Sequence, residues 1–311
     1  KRASMTGDER GWLDRLIRNP AGLQEDGFHA LQLDRQAFVL ETASDYLLQH
    51  SAGAGEDGAP YREKNRTILR ARSELKVTPS DLPIEPYVKQ PDLGHGTSRL
   101  GIGAGWRNQR AFEEASFRGA YQDLLDPEPG YTPDAQIELV SVGVRHYHDQ
   151  SQARVERFGL INITSLAPID GLSQVPSWKV NVGMNTIRHN GCQLCSNGVA
   201  SGGIGATVES SVFKREVYFA FAEAEANYSR AYDERHRVGG GGTIGMLSDV
   251  TDRWKLMLSG TYLRYALGDK SEDLRWFAGS RYTLSQDWAL RVEYNHRDRD
   301  NDVVFSIQAF F

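Results

Sequence analysis

From Asp92 to its last residue, this chain alternates in polarity with a period of two. Leu100, Ile102, Ala104 and Trp106 alternate with Arg99, Gly101, Gly103, Gly105 and Arg107. Trp254, Leu256, Leu258, Gly260 and Tyr262 alternate with Lys255, Met257, Ser259 and Thr261. Trp288, Leu290, Val292 and Tyr294 alternate with Ala289, Arg291, Glu293 and Asn295. A period of two puts successive side chains on opposite faces of a strand. In the last two segments the apolar face begins and ends in an aromatic, and Tyr218 and Tyr228 bracket Ala220, Ala222, Ala224 and Ala226 in the same way. Rings at both ends with aliphatics between them suit a strand that crosses a bilayer from interface to interface. A soluble β-sandwich also alternates, but nothing in it calls for aromatics at both strand ends.

The pattern breaks the region into segments at 97–107, 111–123, 135–148, 152–164, 176–187, 198–209, 214–228, 236–248, 251–265, 272–284, 286–297 and 302–311. Their lengths, roughly 10 to 15 residues, exceed the five or six usual in soluble sheets. The fold expected is mainly β: an antiparallel transmembrane β-barrel of about 12 strands, preceded by a small α-helical periplasmic segment. An even strand number returns both barrel ends to one side, here expected to be the periplasm. Composition does not oppose this. Hydrophobic residues at 40% and charged residues at 25% resemble a soluble protein, but the polar lumen face of a barrel keeps average hydropathy low. No run of about 18 apolar residues is present, so no helix is expected to cross a membrane. A net charge of −5 argues against nucleic acid as a partner.

The chain end sharpens the expectation. Val303, Phe305, Ile307, Ala309 and Phe311 form one apolar face that stops at a terminal Phe. Such a strand, with Phe305, Ile307 and Phe311 as its signal, resembles what the outer-membrane barrel assembly machinery reads. In a soluble protein an unpaired edge this apolar invites aggregation, which barrel closure removes. Outer-membrane lipid and that machinery are the expected partners.

The opposite face supplies a lumen. Arg99, Arg107, Glu114, Arg118, Lys179, Glu223, Glu225, Lys255, Arg291 and Glu293 all fall on inferred inward positions. Charges of both signs suit a lumen filled by ion pairs, since paired buried charges are tolerable where single ones are costly. Gly198, Gly202, Gly203 and Gly205 in one strand are expected to face Gly239 to Gly242 and Gly245 in another, marking curvature or close backbone approach. Neither cluster precedes a helix, so phosphate binding is not expected.

Cys192 and Cys195 lie in a stretch read as a hairpin loop. The spacing would suit redox chemistry only at a helix N-terminus, so a local disulfide is expected. His189 could add only a third ligand to a metal, and neither metal nor cofactor is expected. His146 and His148 share a strand face. With Ser151 they are the only clustered candidates for hydrolytic chemistry, and no third member completes them.

Residues 1–78 read as helical. Trp12, Leu13, Leu16 and Ile17 share a face after Asp8 as N-cap, and Asn19-Pro20 ends the segment. Asp34 opens a second helix whose partner spans Tyr61 to Leu75, with a loop over Ser51 to Pro60 between them. Residues 79–94, rich in proline, read as an extended linker, and 95–311 as the barrel.

Gly94-His95, Arg99, the run Arg118-Gly119-Ala120-Tyr121-Gln122-Asp123-Leu124-Leu125-Asp126, Gly130-Tyr131 and Ser177-Trp178-Lys179 resemble the C-terminal half of a proteobacterial family. Its upstream half is the Lnb N-terminal periplasmic domain, called after a type of lipoprotein N-acylation enzyme. The family run reads Arg-Pro-Ala-Tyr-His-Asp-Leu-Leu-Asp, so Gly119 and Gln122 depart from it, and no role of the replaced His carries over. The resemblance covers Asp34 to Phe311. It singles out His95, Arg118, Tyr121, Asp123, Asp126, Tyr131, Trp178 and Lys179, and it implies an acyl-transfer or thiol-dependent domain before Lys1, with this chain a piece of a longer protein. Three function classes follow. A barrel could anchor, and present lipid or lipoprotein to, an upstream periplasmic domain or another envelope protein. It could be an outer-membrane lipid hydrolase or acyltransferase, or it could be a narrow selective channel, which a plug formed by the helices or the linker would close.

Overall fold

The computed structural model describes residues 1–77, 92, 94–149, 152–169, 174–211, 214–297 and 300–311. It divides into two compact units, Lys1–Val88 and Lys89–Phe311. The region read as a linker lies outside the described residues, apart from Asp92 and Gly94.

The first unit is helical, with α1 (Gly7–Arg18), α2 (Asp26–His29), α3 (Leu33–Gly53) and α4 (Ala59–Glu74). The N-cap of α1 is Thr6, not Asp8. The Thr6 hydroxyl accepts from the Glu9 amide and the Glu9 carboxylate accepts from the Thr6 amide, which satisfies two donors that Asp8 would leave unmet. The glycine-rich stretch read as a loop is mostly helical. α3 continues to Gly53, and only one 3-10 turn, Gly55–Gly58, separates it from α4. α3 buries Phe38, Val39, Leu40, Ala43 and Leu47, a spread wide enough to pack against both α1 and α4. Glu9 of α1 accepts two bonds from the Arg35 guanidinium of α3, at 2.5 and 2.6 Å. These bonds hold the Glu9 carboxyl down at about 2, against the desolvation that would raise it.

The second unit is a closed antiparallel barrel of twelve strands, each paired with its sequence neighbours and β1 with β12. The strands are β1 (Arg99–Arg107), β2 (Arg110–Gln122), β3 (Ala135–Tyr147), β4 (Ala153–Ser165), β5 (Ser177–His189), β6 (Cys192–Ser210), β7 (Arg215–Tyr228), β8 (His236–Asp249), β9 (Trp254–Gly268), β10 (Ser271–Ser285), β11 (Trp288–Arg297) and β12 (Asp300–Phe310). Closure is made by Arg99↔Phe310 through Arg107↔Asp302. The end where β1 begins and β12 finishes is called here the terminal end, and its opposite the far end.

The outer wall carries large apolar side chains. Trp178, Tyr218, Trp254, Tyr282 and Trp288 lie toward the terminal end, and Trp106, Tyr228, Tyr262, Trp276 and Tyr294 toward the far end. Leu258, Ile244, Leu290 and Phe305 lie between them. An exposed apolar surface this continuous is built for lipid rather than water.

Two expectations are corrected. Cys192 and Cys195 stand on β6 and not in a loop, because pairing continues through Ile187↔Cys195 and His189↔Cys192 after a register shift. A disulfide joins them. The two glycine clusters do not face each other but flank β7 on either side. Gly205 and Gly245 lie opposite Phe221 and Phe219 on the inward face, and a Cβ at Gly205 would stand 2.8 Å from the Phe221 ring. The small residues make room for large rings inside the barrel.

Candidate functional site

Every residue expected to line the lumen does point inward, but none stands free. Arg107 pairs with Glu156 and with Asp300 at 2.9 Å, and Arg145 pairs with Glu114 at 2.7 Å and with Asp302. Lys179 pairs with Glu223, and Arg275 with Glu225 at 2.6 Å and Asp273 at 2.7 Å. Arg145, Glu156, Arg157, Asp273, Arg275, Arg297, Asp300 and Asp302 were missed in the sequence reading. Extending the same parity along β3, β4, β10, β11 and β12 finds all but Glu156, which a register shift beside Arg157 turns inward.

The terminal end holds the unexpected feature. Residues 123–134, between β2 and β3, fold back into the barrel instead of forming an outside turn. Leu124 and Leu125 pack against Val217 and Phe219 of β7, Leu247 of β8 and Leu166. Burying two leucines in this way is worth about 1.5–3 kcal/mol each. Gly279 of β10 makes the space, since a Cβ there would meet Leu125 at 2.6 Å. The flanking carboxylates lock the segment in place. Asp123 accepts from Arg99 and, at 2.5 Å, from Arg291. Asp126 accepts from Arg118 and, at 3.1 Å, from Arg99. Farther along, Glu128 accepts from Lys255 at 2.6 Å, and Asp134 pairs with Arg215. The segment therefore reaches from β2 to β7 and β9 across the terminal mouth. This closure is made by the barrel's own β2–β3 connection.

Five residues singled out by the family resemblance converge on this plug. Arg118 is 0% exposed and Asp126 1%. His95 stacks on Tyr131 at 4.5 Å and leans on Phe310 at 4.3 Å, while the Tyr131 hydroxyl donates to the His95 carbonyl at 2.6 Å. Burial holds the His95 imidazole below its ordinary range. Its Nδ1 lies 2.6 Å from the Gly96 carbonyl, an acceptor only, so Nδ1 carries the proton. Tyr121 and Trp178 point outward instead, and Lys179 belongs to the pair with Glu223.

His146 and His148 lie on the outside of the barrel, where both rings meet Glu113, at 3.2 and 2.6 Å. Ser151 lies outside the described residues. No group of three or more His, Cys, Asp or Glu among the described residues is arranged to hold a metal ion.

The family described as Domain of unknown function (DUF7840) matches residues 88–310. The chain belongs to that family. The DUF7840 region thus spans the whole barrel, including the plug. A comparison with curated proteins found no match. Solved structures similar to the DUF7840 barrel include the KdgM porin in complex with disordered oligogalacturonate, at 10% identity and a TM-score of 0.40, covering 68% of this chain and 99% of that one. The NanC porin is 8% identical with a TM-score of 0.42, over 68% of this chain and 99% of that one. Omp33 of Acinetobacter baumannii is 10% identical with a TM-score of 0.33, over 70% of this chain and 99% of that one.

Proposed function

We propose that this chain is a Gram-negative outer-membrane barrel, plugged by its own β2–β3 segment, that anchors the helical unit on the periplasmic side. The observation that carries this reading is the buried lock of Asp123 and Asp126 on Arg99, Arg118 and Arg291, with Leu124 and Leu125 seated behind it. A mouth closed by a segment of the same chain serves attachment better than flow. The lipid-facing wall gives the attachment its surface. We further propose kinship with the barrels that follow an Lnb-type periplasmic domain. In that setting, acyl-transfer chemistry belongs to the upstream domain, and this barrel holds it beside lipid or lipoprotein substrates.

A protease site placed in residues 79–91 of the membrane-inserted protein tests the anchoring. Cleavage should free the helical unit into the soluble periplasmic fraction and leave the barrel in the membrane. Retention of the helices on the membrane after complete cleavage would refute it. One observation favours a narrow channel as the second reading: beyond the plug the lumen is not filled, and a cavity of about 350 Å³ lies next to the far-end residues Arg297 and Asp300.

A further inference from the structure

Between the plug and the far-end ion pairs the barrel encloses two adjoining cavities of about 350 Å³ each, which share Arg157, Ser259, Phe277 and Asn295 in their walls. Every charged side chain lining them is already neutralised. Arg157 is on Glu114 at 2.7 Å, Arg291 is on Asp123 and Glu293, and Arg297 is on Asp273, while Glu138 faces Arg99 at 3.8 Å. An incoming anion or cation would have to displace one of these partners. The unspent hydrogen-bonding capacity is neutral. Among the described residues, Ser116, Ser259, Asn295, Ser306 and Gln308 line the cavities and make no side-chain hydrogen bond to the protein. Gln308 is 4% exposed, and its carbonyl oxygen is buried without a partner. Phe277 points inward beside these amides and hydroxyls.

Neutral donors and acceptors around an aromatic ring, in a chamber whose charges cancel, match a molecule bearing many hydroxyls and one less polar face. The geometry points to the lumen as a binding compartment for a neutral saccharide of one or two rings. Asn295, Ser259, Ser306 and Gln308 orient its hydroxyls, and the Phe277 ring covers one sugar face. The volume lies within the usual range of small-ligand sites, about 300–1,000 Å³. Entry is from the far end, where His296, Arg297 and Asp300 form part of the wall, so the site does not depend on the plug opening.

The test uses the full chain in amine-oxide detergent micelles, which carry no sugar headgroup. Maltose, sodium glucuronate and glycine betaine are titrated in turn by isothermal calorimetry. Maltose should bind saturably and more tightly than the two charged probes. Asn295→Leu and, separately, Ser259→Val should each weaken it about tenfold, with folding checked by heat-dependent gel mobility. His146→Ala, on the outer wall, should leave binding unchanged. Absence of saturable maltose binding overturns the inference, as does tighter binding of glucuronate or binding untouched in whichever of the two lumen variants folds. Conductance tests of the plug are read separately, so either idea can fail alone.

Discussion

Replacing Asp126 by Ala strikes the plug where its energetics are most concentrated. Arg118 is fully buried and donates to Asp126, so the substitution leaves a guanidinium in the barrel interior without its nearest carboxylate. Breaking a buried pair from one side costs about 3–5 kcal/mol. Asp123, 3.7 Å from the same guanidinium, retains part of the compensation and moves the expected cost toward the lower value. At about 1.4 kcal/mol per factor of ten, the released fraction of the segment should rise about a hundredfold. The apolar docking of Leu124 and Leu125 survives the change, so release should be brief. In planar bilayers the parent chain should be silent, and Asp126→Ala should show short, recurrent openings. The variant should still insert and keep its heat-dependent gel mobility, because no strand residue changes. Silence equal to the parent's in a folded Asp126→Ala barrel would refute the lock, and steady conductance by the parent would refute the plug.

Deleting Phe311 removes one exposed outward ring, about 1.5–3 kcal/mol by area. The yield of folded barrel in the outer membrane should nevertheless fall severalfold, as measured on heat-modifiability gels. Normal yield would remove the assembly reading. Glu9 titrates at about 2 in the folded helices instead of 4.5. A depressed carboxyl stabilises the fold above its unfolded value, and that contribution is lost as pH falls from about 4.5 through about 2. Helical circular dichroism of the full chain in mild urea should decline across that window. Glu9→Gln should be weaker at neutral pH and should lack that portion of the pH dependence.

The barrel was legible because its parity is unforgiving. A slip of one residue at Trp254 or Trp288 would turn a ring into the lumen and Lys255 or Arg291 into lipid. Legibility ended where a stretch kept its pairing but lost its polarity contrast. Arg188 to Asn197 read as a loop for that reason, although β5 and β6 run on through it. The plug was hidden more deeply. Asp123-Leu124-Leu125-Asp126 has no period, and its meaning comes from Val217, Leu247, Gly279 and Arg291, far away in sequence and across the barrel. The resemblance marked these residues without saying what they do. The Glu9–Arg35 pair, between two helices, lies outside what periodicity records.

We propose a barrel set in the outer membrane with its termini, plug and helices on the periplasmic side. Asp233, exposed in the far-end turn between β7 and β8, reports on it directly. With the native cysteines held in their disulfide, a cysteine replacing Asp233 is the single free thiol in the sequence. A membrane-impermeant maleimide should label Asp233→Cys in intact cells as fully as in lysed ones. Labelling only after lysis would refute this orientation.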